Sequence, residues 1–146
     1  MVETEVPEAT EEPAVSARAA LLAAIRRECG SALRDCHVMD ERTHETVYVR
    51  PDVRERLTDI SLERYIDNER LGYLSHDTYE GLHYAEFRYT VRGFDRFTQF
   101  RTFLGDSSGR IGVLTSVDAG ADVDWGAVFD AVAGVVAEHG TRSITP

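Results

Sequence analysis

Apolar residues recur every three or four positions near both ends of the chain, and this spacing predicts two amphipathic helices. The first is expected over residues 16–29, with Ser16 as its N-cap and Gly30 just beyond its last turn. The second is expected to start after Asp122 or Asp124. The apolar stripes consist of Leu21, Leu22, Ile25 and Cys29 in the first helix, and of Trp125, Val128, Phe129, Val132, Val135 and Val136 in the second. Such stripes pack against a sheet or another helix.

After the first helix, polar and apolar residues alternate, which is typical of strands. Residues 33–40 and 46–50 are separated by a short polar stretch, and together they predict a β-hairpin. Pro51 ends the second strand and can begin a helix. Residues 52–81 then predict one or two helices, because Leu62, Tyr65, Ile66 and Glu69 follow helical spacing there.

The clearest alternation follows, and it predicts three strands joined by short turns. They are expected over residues 83–92, 97–104 and 110–118, as an antiparallel meander. In the first of these strands, alternate residues should face opposite sides of the sheet. One side would carry Ala85, Phe87, Tyr89 and Val91, and the other Glu86, Arg88, Thr90 and Arg92.

These elements predict an α+β fold in the order α-β-β-α-β-β-β-α. A hairpin, a helical crossover and a three-stranded meander would form a five-stranded antiparallel sheet, flanked by the N- and C-terminal helices. Residues 1–14 are rich in Glu and Pro and predict a disordered acidic tail. A single α+β domain is expected over residues 15–140, and residues 141–146 are expected to fray.

The composition narrows the class of protein. The formal net charge is −10, which argues against nucleic acid as a partner, and all 16 basic residues are Arg. The acidic charge and the absence of Lys resemble the composition of cytosolic proteins from haloarchaea. No apolar run approaches the ~20 residues of a membrane span, so no membrane association is expected. Two cysteines and no secretory signal indicate a cytoplasmic protein with reduced thiols.

No residue pattern indicates catalysis. A Walker A motif and a Schiff-base lysine both need Lys, which the chain lacks, and no GxSxG occurs. Ser107 and Ser108 stand in GDSSG, a sequence typical of a turn. Cys29, Cys36 and His37 lack the paired spacing of a zinc site. We therefore expect no enzyme activity, no cofactor and no metal.

The order of the elements resembles the roadblock/longin and profilin-like group of folds over about residues 16–139. The stretches LRDCHVMD, YVRPDVRERL and GVLTSVD also resemble small uncharacterised haloarchaeal proteins. The roadblock resemblance implies a non-enzymatic regulatory module that forms homodimers through a sheet edge. It also implies a protein partner such as a GTPase or another signalling protein.

The alternating strand suggests where such a dimer would form. If residues 83–92 are a sheet edge, a two-fold axis at Tyr89 would place Glu86 opposite Arg92 of a second copy. Glu86, Arg88, Thr90 and Arg92 are therefore the predicted dimer edge.

Two alternatives stay open. A PAS- or GAF-like sensor would bind a small ligand between the sheet and the middle helix, in a pocket lined by Tyr65, Tyr73, Tyr79 and Tyr84. A winged-helix regulator fits less well, because five strands are too many and no basic recognition helix is predicted.

Overall fold

The computed structural model describes the backbone of residues 5–146 and the side chains of residues 17–146. The strands are β1 (Leu33–Met39), β2 (His44–Val49), β3 (Thr90–Gly93), β4 (Phe97–Asp106) and β5 (Gly109–Asp118). The helices are α1 (Glu5–Cys29), α2 (Pro51–Leu57), α3 (Leu62–Leu82), α4 (Trp125–His139) and α5 (Thr141–Ile144). A short 3₁₀ turn, Gly30–Ala32, joins α1 to β1.

The strands form one antiparallel sheet in the order β2-β1-β5-β4-β3. β1 and β2 are the predicted hairpin, and β3, β4 and β5 are the predicted meander. β5 pairs with β1 in the centre of the sheet, so the crossover α2–α3 carries the chain from one edge, β2, to the other, β3. The predicted α+β class and five-stranded antiparallel sheet are confirmed.

Local sequence explains where the long helices begin and end. Ser61 caps α3, since its hydroxyl accepts a hydrogen bond from the Arg64 backbone at 3.2 Å. Asp124 caps α4 in the same way, through the Ala127 backbone at 3.0 Å. α4 ends at Gly140, whose φ of 83° suits a residue without a Cβ.

α1, α4 and α5 cover one face of the sheet, which we call the apolar face. Leu21 and Ile25 of α1 are fully buried there, as is Val132 of α4. Phe100 of β4 stacks on Trp125 of α4, with ring centroids 5.5 Å apart. The side chains that β1, β4 and β5 contribute to this core include Leu33, Cys36, Val38, Phe100, Ile111, Val113 and Val117. This face carries the main hydrophobic core.

α3 lies on the opposite face, which we call the crossover face. Its buried apolar cluster is smaller, and consists of Met39, Ile66, Tyr73, Phe103 and Leu114. Tyr73 packs on Phe103 with ring centroids 4.2 Å apart. Buried polar groups, including Asp35, His37 and Glu69, share this face with the apolar cluster.

The N-terminal boundary differs from the predicted one. α1 begins at Glu5, whereas the predicted helix began at Ser16. Glu and Ala, both strong helix formers, are frequent before Ser16, and they favour extension of the helix toward the N-terminus. Residues 1–4 of the predicted disordered acidic tail lie outside the described residues, and a disordered tail there stays a prediction.

The predicted strand over residues 83–92 is much shorter in the structure. β3 contains only Thr90–Gly93, because α3 continues to Leu82 and residues 83–89 form an irregular connection that returns to the sheet. Phe87 packs against His76 of α3, with ring centroids 5.2 Å apart, instead of against a neighbouring strand. The alternation in this segment therefore reflects packing against α3 as well as strand pairing.

The C-terminal residues pack against the domain, in contrast to the predicted fraying of residues 141–146. Thr141 and Ile144 of α5 are buried. The Thr141 backbone donates to Asp106 at the end of β4, at 3.0 Å, and Arg18 of α1 donates to the carbonyl of Ile144 at 3.2 Å. These hydrogen bonds hold α5 against the domain, although its four residues are too few to show a helical pattern in the sequence.

No helix within the described part of the chain is both long and apolar enough to cross a membrane.

Candidate functional site

The start of β3 divides the four residues of the predicted dimer edge. Thr90 and Arg92 lie in β3, whereas Glu86 and Arg88 precede it in the irregular connection from α3. β3 pairs with β4 on one side and is the last strand of the sheet, so its other side is open among residues 5–146. Open strand edges can pair with another chain.

Arg92 already has a carboxylate partner within the chain. Its Nη2 donates to Glu69 Oε1 of α3 at 2.7 Å, and Nη1 of Arg101 on β4 donates to the same oxygen at 3.0 Å. The Glu69 side chain is only 3% exposed, so two guanidinium groups offset the loss of its hydration. This triad joins α3 to the two strands at the open edge of the sheet. The predicted pairing of Arg92 with Glu86 of a second copy therefore competes with an existing ion pair.

Three leucines lie on the outer face of α3, and we call them the leucine stripe. Leu71, Leu74 and Leu82 are 66%, 72% and 69% exposed. Helical periodicity places Leu71 and Leu82 on the side away from Ile66 and Tyr73, which contact the sheet, and Leu74 about a quarter of a turn from that buried side. The stripe was not predicted, because the helical pattern of this segment was defined by Leu62, Tyr65, Ile66 and Glu69 alone. The signal is present in the sequence, since the leucines fall on a different face of the same helix.

A small cleft opens between the sheet and the junction of α2 with α3. Its volume is about 150 Å³. The sheet contributes Arg34, Asp35, Phe97, Gln99 and Ser116, which come from β1, β4 and β5, and α3 contributes Tyr65. No local motif could have revealed this cleft, because strands distant in sequence contribute to its floor.

The four tyrosines that were expected to line a ligand pocket do not share one. Tyr65 lines the cleft, while Tyr73 is buried against Phe103 and fills space. Tyr79 is about half exposed, and Tyr84 is fully exposed. The predicted tyrosine-lined pocket is therefore wrong, because the four residues point to different surroundings along and beyond α3.

Two buried titratable groups lie beneath α3, next to the cleft. His37 is fully buried, and its Nδ1 shares a hydrogen bond of 3.0 Å with Thr46 Oγ1. Its Nε2 lies 3.5 Å from Asp35 Oδ2 and has no hydrogen-bond partner among the described residues. Asp35 Oδ1 accepts from Ser116 Oγ at 2.8 Å. This arrangement gives the floor of the cleft a polar character.

Ser108, one of the two serines considered for catalysis, takes part in the hydrogen bonds that hold the β4–β5 turn. In the β4–β5 turn, Ser108 donates through both its backbone and its hydroxyl to Asp106, which also accepts from Thr141. Hydrogen bonds from Ser108 and Thr141 hold the pKa of Asp106 well below its usual range. Such a carboxylate is a poor general base, because it gains a proton only in strong acid.

Both thiols are buried in the apolar face. Burial, reinforced by the charge of Glu28, raises the pKa of Cys29 to about 11. Burial also raises the pKa of Cys36, with Asp35 contributing. Thiols in this state are not reactive near neutral pH, since the thiolate is the nucleophile. Within the described residues, no three His, Cys, Asp or Glu side chains gather in a group that could hold a metal ion.

Comparison with known proteins places the chain in a family. Two solved structures are similar in shape to this chain. The first, "MglB with tetrameric arrangement", has 18% sequence identity and a TM-score of 0.48, and the match covers 90% of this chain and 82% of that one. The second, the gliding protein MglB from Thermus thermophilus, has 16% sequence identity and a TM-score of 0.49, and the match covers 89% of this chain and 84% of that one. No curated protein matches the sequence. A family model matches residues 19–137, and the chain therefore belongs to the family described as Domain of unknown function (DUF7522).

Proposed function

We propose that this protein is a non-enzymatic, roadblock-like regulatory module that self-associates and then docks on a protein partner such as a GTPase or another signalling protein. The observation that carries the proposal is the leucine stripe on the outer face of α3, a helix that the Glu69 triad joins to the open edge strand β3. Large apolar side chains exposed together on one helix face favour an interaction site.

A second copy of the chain is the occupant that fits the stripe best. Leu71, Leu74 and Leu82, with Thr78 between them, keep the spacing of a helix–helix seam. Two antiparallel α3 helices would each present the same residues, as a two-fold interface requires. Burying one leucine fully is worth about 1.5–3 kcal/mol, so several leucines could support a stable contact.

The open edge offers a second element of the same interface. We propose antiparallel pairing of β3 with its copy over Thr90–Gly93, with Glu86 and Arg88 bordering the contact. Backbone hydrogen bonds would supply this pairing. Because Arg92 is held by Glu69, the pairing does not depend on a charge contact between Arg92 and Glu86.

The mass of the protein in solution tests self-association. One chain weighs 16.3 kDa, and we expect twice that mass at micromolar concentration by light scattering or sedimentation. The double variant Leu71→Glu/Leu74→Glu should shift the mass to that of a single chain, because buried carboxylates oppose the contact.

The matched control adds the same charges at exposed positions outside α3, as Ser107→Glu in the β4–β5 turn combined with Ala137→Glu in α4. This control should keep the larger mass. A wild-type protein that sediments as a single chain at micromolar concentration would contradict self-association. A double leucine variant that keeps the larger mass would show that the stripe is not the interface.

Hydrogen exchange tests the edge separately. Backbone N–H groups of β3 that point away from β4 should exchange slowly in the self-associated wild type. The same groups should exchange rapidly in the Leu71→Glu/Leu74→Glu variant. Rapid exchange in both would remove β3 from the proposed interface and leave the leucine stripe in place.

We also propose that the protein meets its partner in the cytoplasm of a halophilic archaeon. The acidic charge and the absence of Lys support a place in the cytoplasm of a halophilic archaeon. Affinity purification in concentrated KCl from such a cell should recover a GTPase or signalling protein in near-equal amount with the wild type. Recovery of the bait alone, free of other proteins, would count against the regulatory role.

A further inference from the structure

We propose that the cleft between the sheet and the α2–α3 junction binds a small aromatic monocarboxylate of about the size of benzoate. The proposal does not depend on self-association, because the cleft is formed within one chain. It rests on the size of the cleft, on an incompletely paired arginine within it and on the charge of its floor.

The size of the cleft suits one aromatic ring. Its volume is about 150 Å³, and an apolar cavity of roughly that volume accepts benzene. Phe97 supplies an aromatic wall, and Leu57 and Ile60 supply aliphatic ones. Ile60 is 51% exposed, so a ring in the cleft would cover apolar surface that now faces solvent.

Arg34 supplies a cation that lacks a close partner. Its side chain is 16% exposed, and its guanidinium carbon lies 4.8 Å from the centroid of the Phe97 ring. Its Nε has no hydrogen-bond partner among the described residues. The carboxylate nearest to it, Asp118, is 3.9 Å away and is bound at 2.8 and 2.9 Å by Arg50 instead.

An incompletely paired, mostly buried guanidinium favours a carboxylate ligand. Arginine binds a carboxylate through two parallel N–H donors, and such charge-assisted bonds are the strong ones. Arg56 of α2, an exposed residue that also lines the cleft, adds a second positive charge. We place the ligand's carboxylate at Arg34, because its guanidinium is the mostly buried one.

The floor limits the ligand to a single negative charge. Asp35 lies there with its Oδ1 already accepting from Ser116. A second carboxylate on the ligand would meet this side chain and be repelled. Gln99 Nε2 donates to the Tyr65 hydroxyl over a long 3.4 Å, so these two groups can adjust to the edge of a ring.

Titration of the ¹⁵N-labelled full-length protein with sodium benzoate, at constant ionic strength, tests the proposal. We expect saturable shifts in the backbone amides of Tyr65, Gln99 and Ser116, with a Kd on the order of 1 mM for so small a ligand. Benzyl alcohol lacks the charge, and terephthalate carries a second one. Both should bind at least about ten times more weakly, a factor that corresponds to the loss of one good polar contact.

Variants connect the binding to the cleft. Arg34→Gln should weaken benzoate binding by about tenfold or more, whereas Arg64→Gln, on an exposed position of α3, should leave it unchanged. Since Arg34 is mostly buried, a second pair of variants avoids the core. Ile60→Asp adds a negative charge beside the cleft and should also weaken binding, while Tyr84→Asp adds the same charge at a fully exposed residue and should not.

Three results would overturn the proposal. The first is an absence of saturable shifts at these amides at benzoate concentrations well above the expected Kd. The second is equal binding of benzoate and benzyl alcohol, which would show that the cations play no part. The third is unchanged benzoate binding in both Arg34→Gln and Ile60→Asp. Because the readout is ligand binding and not mass, these failures would leave the proposed self-association untouched.

Discussion

The two faces of the sheet differ in the chemistry of their buried side chains. Helices α1 and α4 close the apolar face with aliphatic and aromatic side chains, and the polar side chains buried on this face include the uncharged Thr102 and Thr115. The crossover face buries fewer apolar residues and includes Asp35, His37 and Glu69. Burying such groups costs free energy unless they are hydrogen-bonded or paired, whereas apolar burial contributes directly.

This difference assigns most of the stability to the apolar face and the candidate binding surfaces to the crossover face. The apolar face can hold the domain together without further partners, because its surfaces are already covered by its own helices. The crossover face carries the cleft, the Glu69 triad and the leucine stripe, and each of these has surface or hydrogen-bonding capacity left over. We therefore expect substitutions on the two faces to differ in both size and kind.

The largest expected effect comes from one strand that contributes a phenylalanine to each face. Phe100→Ala should reduce the free energy of unfolding by about 3–5 kcal/mol, because the ring is buried between rigid partners, Trp125 and Tyr89. Phe103→Ala should cost less, since Phe103 belongs to the smaller cluster and the flexible Met39 side chain of that cluster can move into the space. Urea unfolding of both variants measures the two values.

Tyr84→Ala, at a fully exposed position, is the control and should stay within about 0.5 kcal/mol of the wild type. Equal losses for Phe100→Ala and Phe103→Ala would show that the two cores are equally well packed and would remove this part of the comparison.

The second effect concerns the buried carboxylate of the crossover face. Glu69→Gln keeps the shape of the side chain but leaves Arg92 and Arg101 without their negative partner. We expect a loss of about 1–3 kcal/mol, as for hydrogen bonds to charged groups. Hydrogen exchange should show that α3 loosens while α1 and α4 keep their protection.

Glu63→Gln, an exposed residue in the first turn of α3, serves as the control for the loss of one negative charge. If Glu69→Gln unfolds at the same urea concentration as the wild type, the triad positions α3 without stabilising it.

The smallest expected effect is a dependence on pH at the start of the crossover. Hydrogen bonds from Arg50 hold the pKa of Asp118 below its usual range. A carboxylate whose pKa is lower in the folded than in the unfolded state stabilises the fold above about pH 4, and this contribution disappears as the pH falls through the folded pKa. Asp118→Asn should therefore lower stability at pH 7 and reduce the loss seen on acidification.

Asp118 is 45% exposed, so the change at pH 7 should be only about 0.2–1 kcal/mol. Urea midpoints between pH 7 and pH 2.5 measure it, with Asp95→Asn, an exposed residue of the β3–β4 turn, as the control. A steeper loss on acidification in Asp118→Asn than in the wild type would contradict the sign of the effect.

The elements predicted most accurately are those whose apolar residues follow one regular period. β4 and β5 alternate between the two faces of the sheet and the stripe of α4 faces one core, so these three elements were predicted within a few residues. The first strand of the meander was not, because it was expected from residue 83 and β3 begins at Thr90. α3 was harder, because it carries one apolar face for the sheet and a second, outward one at Leu71 and Leu74. A helix that is apolar on two sides gives a weak periodic signal.

The candidate sites could not be predicted from local patterns for a different reason. The Glu69 triad joins residues from α3, β3 and β4, and the cleft joins β1, β4, β5 and the crossover. Such groupings depend on the strand order, which places β5 between β1 and β4. Residues 83–89 have the alternation of a strand without its pairing. Phe87 packs on His76 of α3, whereas Tyr89 packs on aromatic side chains of the apolar face.

The contacts between the two ends of the described chain have a consequence for how the protein is made. β1 needs β5 as its inner neighbour, α1 packs on α4, and Arg18 binds the carbonyl of Ile144. A ribosome that has released only the first hundred residues has therefore supplied none of these partners. The apolar stripe of α1 therefore stays exposed to solvent until α4 and α5 have left the exit tunnel. Contacts between residues so distant in sequence also form slowly. Nascent chains of this protein are thus expected to need a chaperone for most of their synthesis.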